Sequence, residues 1–272
     1  MGVAEQTIEV TGASIFCRRT PVVSGVTPLY LHSVPTSSDD WLTLLEDVGG
    51  VAPDLPGFGR SSKAANLDLS IDGYVEFVAD LIAELELDQV TIVGHGWGGA
   101  IGLLYAERHP EHVARLALID PVPLLEQFRW PRFARRWRWL GIGELSMGAV
   151  ARWMLVRSLR TGAVSRRTWP DERIDQIWEQ FDQGTQRAIL RLHRSVDAHI
   201  VADAEEGLDA VRAPALIVWG EQDPWLPASF ADTYGQRLPD ATVLRVPGAG
   251  HWPWLEDADV RERVARFIAD GE

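Results

Sequence analysis

One cysteine, Cys17, stands among 272 residues, so no internal disulfide can form and a reducing compartment suits the chain. No apolar run approaches the length needed to span a bilayer. The opening stretch MGVAEQTIEV lacks both a basic start and a continuous apolar core, so it does not read as a secretory signal. Gln6 stands where a myristoylation site needs Ser or Thr. A cytoplasmic protein without membrane attachment is expected. Positive charge is also scarce. With 26 Lys plus Arg against 39 Asp plus Glu the net charge is −13, which argues against nucleic-acid binding, because a basic surface is needed to displace counterions. No repeat or low-complexity segment is present.

What is present is alternation. Short β-branched runs (TIEVTG, SIFCRR, PLYLH, QVTIVG, VARLALID, PALIVWG, ATVLRVP) alternate with helical patterns such as SIDGYVEFVADLIAELEL, which follows a Ser N-cap. Such alternation specifies an α/β fold, a mostly parallel sheet covered on both faces. Residues 123–205 break the pattern: they read as helices throughout and carry six of the twelve tryptophans. Between 123 and 200 the chain holds 14 Arg against 8 Asp plus Glu, a local excess of six positive charges. Solvated Arg-rich helix faces account for this, and attraction of anionic substrates is the alternative. The expected organisation is a core of 1–122 and 206–272 with 123–205 as an inserted helical cap.

The stretch VTIVGHGWGGAIGLLYAERHP admits two readings. Gly94, Gly96 and Gly99 spell G-x-G-x-x-G, and Asp120 lies 21 residues beyond, near where a ribose-binding carboxylate belongs in a dinucleotide-binding oxidoreductase. Alternatively, Gly94-His95-Gly96-Trp97-Gly98 is the sharp strand-to-helix turn of a nucleophile elbow. Several strands precede it, whereas the fingerprint usually opens its domain, and Trp97 would crowd a pyrophosphate. Three other sites support the elbow. LYLHSVPTSSDDW offers a strand end whose backbone N–H groups can serve as oxyanion donors. WGEQDPW puts Asp223 just after a strand, and VPGAGHWPWLED puts His251 just after another.

With elbow, acid and histidine in that order, the chain resembles the α/β-hydrolase superfamily over nearly its full length, PDLPGFGRSSK and the insertion included. LHSVPTSSDDW and GHGWGG look most like the branch of haloalkane dehalogenases and epoxide hydrolases. The resemblance implies an eight-stranded, mostly parallel sheet, a helical cap, a small-molecule substrate, and neither metal nor cofactor. Oligomeric state is left open. It also implies Asp or Ser at position 96, where this chain has Gly96, and glycine has no atom with which to attack. Glycine does tolerate the strained elbow backbone. A second departure is Ser33, where the family's oxyanion segment reads His-Gly. Ser33 either disturbs that loop, lines the pocket, or is a displaced nucleophile.

By the same resemblance, Val34 and Trp97 would supply the oxyanion N–H groups, and His32 and His95 would be supporting residues. Trp97 matches a halide-binding tryptophan, but its partner donor would fall at Val34. None of the four tyrosines (30, 74, 105, 234) lies in the insertion, where epoxide hydrolases carry theirs. His251 is then a general base oriented by Asp223, with Asp120 as the alternative acid. Three functional expectations follow: water activation or proton abstraction by His251 beside an empty position 96; ligand binding without chemistry; or a hydrolase silenced by substitution at Gly96.

Overall fold

The computed structural model describes residues 2–23 and 25–270. Its strands are β1 (Ala4–Val10), β2 (Ala13–Thr20), β3 (Thr27–Leu31), β4 (Gly50–Pro53), β5 (Val90–His95), β6 (Val113–Ile119), β7 (Ala215–Gly220) and β8 (Ala241–Val246). They form one eight-stranded sheet in the order β1-β2-β4-β3-β5-β6-β7-β8. The β1/β2 hairpin and the β2/β4 pair are antiparallel, and the remaining pairings are parallel. The α/β fold and mostly parallel eight-stranded sheet expected from the alternation are therefore present.

Central strands bury alternate residues on opposite faces, which is why they read as continuous apolar runs rather than polar–apolar alternation. Ile92 and Ile217 join one core cluster, Val93 and Val218 the other. Helices α1 (Leu42–Asp47), α2 (Ile71–Glu84) and α3 (Trp97–Arg108) follow β3, β4 and β5. Ser70 caps α2 by accepting the Gly73 N–H at 3.0 Å, as its sequence pattern predicts. α3 is buried from Trp97 to Ala106 and lies directly on the sheet. Its glycines make that approach possible: a Cβ on Gly98 would sit 2.1 Å from the Leu31 carbonyl oxygen, one on Gly94 2.5 Å from the Gly98 carbonyl oxygen, and one on Gly99 2.8 Å from Pro121 Cβ. Gly94 and Gly99 of the G-x-G-x-x-G pattern thus serve the close packing of α3 on the sheet and on the turn after β6.

Between β6 and β7 lie six helices: α4 (Arg132–Trp137), α5 (Ile142–Gly148), α6 (Arg152–Gly162), α7 (Asp171–Gln180), α8 (Gln183–Ser195) and α9 (Ala198–Gly207). α9 passes the boundary expected at 205, because Ala204 and Leu208 are buried and carry the helical run to the core. α10 (Ser229–Arg237), α11 (Pro253–Glu256) and α12 (Ala258–Asp270) complete the chain. No helix among the described residues is long and apolar enough to cross a membrane.

One carboxyl in this frame has a measurable consequence. Glu107, near the end of α3, is half-buried with its Oε1 enclosed and unpartnered, and burial pushes its carboxyl up from 4.5 to about 8. The folded state therefore binds a proton that the unfolded chain releases. Its contribution to stability is complete below pH 4.5 and is lost as pH rises through about 8. Glu107→Gln is expected to melt near the parent temperature at about pH 4 and above it at about pH 9. Thermal unfolding across that range checks the sign.

Candidate active site

The parallel pairing of β3 with β5 sets the site. Leu31 lies opposite Gly94, so two residues further on Ser33 and Gly96 leave the sheet side by side. Gly96 has φ +51° and ψ −114°, which a residue with a side chain adopts only under strain. Three backbone hydrogen bonds hold it there. Its N–H donates to the Ile119 carbonyl at 3.1 Å, and its own carbonyl accepts from Ala100 at 3.1 Å and Val122 at 2.9 Å. A Cβ added to Gly96 would lie 2.2 Å from Ser33 Oγ, 2.7 Å from Ser33 Cβ and 3.7 Å from His251 Nε2. The corner is not empty, as the bare glycine suggests: the Ser33 hydroxyl fills it and accepts the Trp97 N–H at 3.2 Å.

His251 follows β8 in a loop tied to the inserted helices. Its N–H donates to the Gly162 carbonyl at 2.7 Å, at the end of α6. Glu256 clamps the same junction, accepting the Gly250 N–H at 2.7 Å and the Val164 N–H at 3.0 Å. The imidazole Nδ1 donates to Asp223 Oδ2 at 2.6 Å, which fixes the tautomer and leaves the Nε2 lone pair facing the elbow corner. Asp223 is itself held by the N–H groups of Trp225 at 2.8 Å and Leu226 at 3.1 Å, both on Oδ1. Both side chains are almost wholly buried.

Asp120, the alternative acid, is brought to the same place: Asp120, Asp223 and His251 present ligand atoms within 4.8 Å of one another. Asp120 leaves the histidine contact to Asp223 and instead accepts the Gly220 N–H at 3.1 Å. Burial, and after it the Asp223 carboxylate, hold its carboxyl well above the usual range, so it keeps its proton and can donate to Asp223. Its φ of +39° is a left-handed value for a non-glycine residue at the turn after β6.

His32 and His95 play fixed parts. His32 Nε2 accepts the Leu55 N–H at 2.8 Å, so Nδ1 carries the proton and donates to the Ser33 carbonyl at 2.7 Å. Thr36 Oγ1 donates to the same carbonyl at 3.1 Å, which locks the peptide joining Ser33 to Val34. His95 Nε2 donates to the His251 carbonyl at 2.8 Å. Burial lowers the proton affinity of both rings, most strongly at His95. Cys17 is no substitute nucleophile, since burial raises its thiol to about 12.

Above the corner lies a cavity of about 560 Å³ whose lining includes Ser33, Val34, Trp97 and His251 below and Trp130, Trp137 and Trp153 from the inserted helices. The remaining three tryptophans of the insertion go elsewhere: Trp169 is fully buried, Trp139 is 63% exposed, and Trp178 is half-buried and stacked on Phe181. His193, which the sequence does not single out, lines the cavity wall against the rings of Trp97, Trp130 and Trp137. Burial lowers it to about 4. Helical spacing held the signal, since Thr185, Ala188, Ile189, Leu192 and His193 share the buried face of α8.

The family described as "Alpha/beta hydrolase family" matches residues 29–265. Haloalkane dehalogenase of Bradyrhizobium diazoefficiens is 28% identical, covering 96% of this chain and 92% of that protein. Epoxide hydrolase 1 of Caenorhabditis elegans is 26% identical over 88% of this chain, which spans 64% of that longer relative. Among solved structures, wild-type Cfl2 from Burkholderia cenocepacia superposes with a TM-score of 0.85 at 22% identity, covering 99% of this chain and 96% of its own, a likeness of fold.

Because one corner receives either Ser33 or a side chain at 96, the two positions must be coupled. Gly96→Ala is expected to cost about 2–4 kcal/mol, combining backbone strain with overpacking against Ser33. Adding Ser33→Gly should recover about 1–3 kcal/mol of that loss, the overpacking share. Denaturant unfolding of the two single variants and the double variant measures the coupling.

Proposed function

The chain belongs to the alpha/beta hydrolase family, and from that premise we propose that it is a hydrolase of small, largely apolar substrates in which His251, oriented by Asp223, is the general base. The inserted helices of 123–205 act as its cap. One observation carries this reading: the 2.6 Å contact from Asp223 to Nδ1 leaves Nε2 turned toward the elbow corner, 3.7 Å from where a side chain at position 96 would begin. An imidazole so oriented can take a proton from an oxygen nucleophile and return it to a leaving group.

The cavity supports the substrate class. Its walls are mostly indole, phenyl and aliphatic surface, with Ser33 and His251 at the elbow corner and Arg157, Ser158, Thr161 and His193 contributed by the inserted helices. A volume of about 560 Å³ accommodates a small organic molecule. The resident chemistry also differs from that of the relatives. Displacement at a saturated carbon by a carboxylate requires an Asp at the elbow, and Gly96 supplies none. An acyl or related carbonyl substrate, attacked by an oxygen that His251 deprotonates, fits the groups at hand.

His251→Ala should lower turnover by roughly 10²–10⁴-fold on whichever member of an ester, haloalkane and epoxide panel the parent hydrolyses. Asp223→Asn should lower it as well, through the wrong imidazole tautomer, with KM little changed. Unchanged turnover in His251→Ala would end this reading. Ligand-induced melting shifts without turnover of any panel member would instead identify a binding protein.

A further inference from the structure

We propose that Ser33 is the nucleophile of this hydrolase, relocated from the elbow to the end of β3, and that the substrates are carboxylic esters. This rests on the reading of His251 as general base and names the oxygen on which that base acts. Four observations converge on Ser33. Its Oγ lies 2.2 Å from the point where a side chain at position 96 would begin, and His251 Nε2 lies 3.7 Å from the same point. Ser33 lines the cavity, which places the residue beside the space a substrate would fill. Its backbone is held still by the two hydrogen bonds that its carbonyl accepts from His32 and Thr36. The Trp97 N–H, at the start of α3, already points at this oxygen.

The departures at positions 33 and 96 then make one exchange. With glycine at 96, the corner that an elbow side chain would occupy is open to the neighbouring strand, and Ser33 reaches into it from β3. A hydroxyl delivered there accepts from the same helix N-terminus that an elbow residue would meet, and His251 Nε2 lies 3.7 Å from the point that Oγ approaches to 2.2 Å. Cys17 is buried with a raised thiol, and His32 and His95 are committed to backbone partners, so none of these offers a competing nucleophile.

In the acylation step Ser33 Oγ bonds to the ester carbonyl carbon as its proton passes to His251 Nε2, and the carbonyl π electrons move onto oxygen. The Trp97 N–H, bonded to Oγ before attack, is released as Oγ bonds to carbon and can then serve the oxyanion; a single donor of this kind contributes about 10²–10³-fold. Collapse of the tetrahedral species breaks the bond to the alcohol oxygen, which takes the proton from His251. Water then attacks the acyl-Ser33 carbonyl, giving its proton to His251. Release of the carboxylic acid returns the electrons of the ester bond to Oγ and the proton to Ser33. No external oxidant, reductant or metal takes part. A hydroxyl nucleophile with this base suits an acyl carbon, which explains why the substrate class follows from the residue.

A fluorophosphonate probe tests the assignment without knowledge of the natural ester, because Oγ displaces fluoride from phosphorus while His251 takes the hydroxyl proton. The intact chain is incubated with the probe, digested, and the adduct located by peptide mass spectrometry; p-nitrophenyl butyrate hydrolysis is followed in parallel. The expected result is one adduct on Ser33, absent from Ser33→Ala, together with a loss of at least about 10²-fold in ester turnover in that variant. Ser33→Cys, which keeps a nucleophile in place, should accumulate a butyryl thioester at residue 33. An adduct at another residue, no adduct on the parent, or full turnover in Ser33→Ala overturns the proposal. If Ser33→Ala retains turnover while His251→Ala loses it, the base survives and the relocated nucleophile falls. If both variants retain it, both readings fall.

Discussion

Where β5 turns into α3 there is space for a single side chain, and the residue that occupies it arrives from the neighbouring strand. The 2.2 Å separation between Ser33 Oγ and a would-be Cβ on Gly96 is well inside the contact distance of any two heavy atoms that are not bonded. The elbow backbone, with its positive φ pinned by Ile119, Ala100 and Val122, is kept whether or not a side chain is mounted on it. The fold thus preserves a site geometry independent of which strand supplies the oxygen. Glycine at 96 relieves strain and opens the corner, and Ser33 refills it with a hydroxyl that accepts the first free N–H of the helix.

The opposite wall of the corner is a chain of protonated and unprotonated groups in a fixed order. Asp223 spends Oδ1 on two backbone N–H groups and Oδ2 on His251, so its rotation is fixed by three donors. Asp120 lies behind it, and burial, followed by the neighbouring Asp223 carboxylate, raises the Asp120 carboxyl well above the usual range. Sequence alone left both acids as candidates for the histidine's partner. The structure shows one acid orienting the imidazole, and a second placed to steady the first, a division of labour that arises because strands β6 and β7 are neighbours. The junction from Gly162 to Gly250 and through Glu256 ties this wall to the inserted helices, so the loop bearing His251 is braced from the side where substrate would enter.

Much of this was legible in the residues. Continuous β-branched runs revealed the buried parallel strands, and Ser70 marked the start of α2. The elbow, Asp223 and His251 were each placed by a strand end followed by turn residues. Two things were hidden. The lateral register of β3 against β5 is not encoded in either segment alone, since it depends on how both pack on α3; Ser33 and Gly96 are 63 residues apart in the chain and adjacent only through the pairing of Leu31 with Gly94. The tryptophans of the insertion looked alike because burial in a core, exposure to water and lining of a cavity all draw on the same residue type. Only packing separates Trp169, Trp139 and Trp137 into those three fates. His193 was missed for a related reason, because an amphipathic helix announces its buried face without saying whether that face meets another side chain or an open space.

The exclusion at the corner also constrains how such a site can change. With side chains at both 33 and 96, their atoms overlap and the elbow, already strained, must distort. With glycine at both, His251 Nε2 faces a corner that no side chain fills. Each of the two arrangements with one side chain avoids the overlap, yet either single substitution between them passes through a crowded or an unfilled corner. The two positions therefore act as one unit whose members are meaningful only together, and the effect of changing either cannot be added to that of the other. For this chain, Gly96 read by itself describes a loss, whereas Gly96 read beside Ser33 describes a steric match. The strand pairing that brings them together is what makes one corner the shared property of both residues.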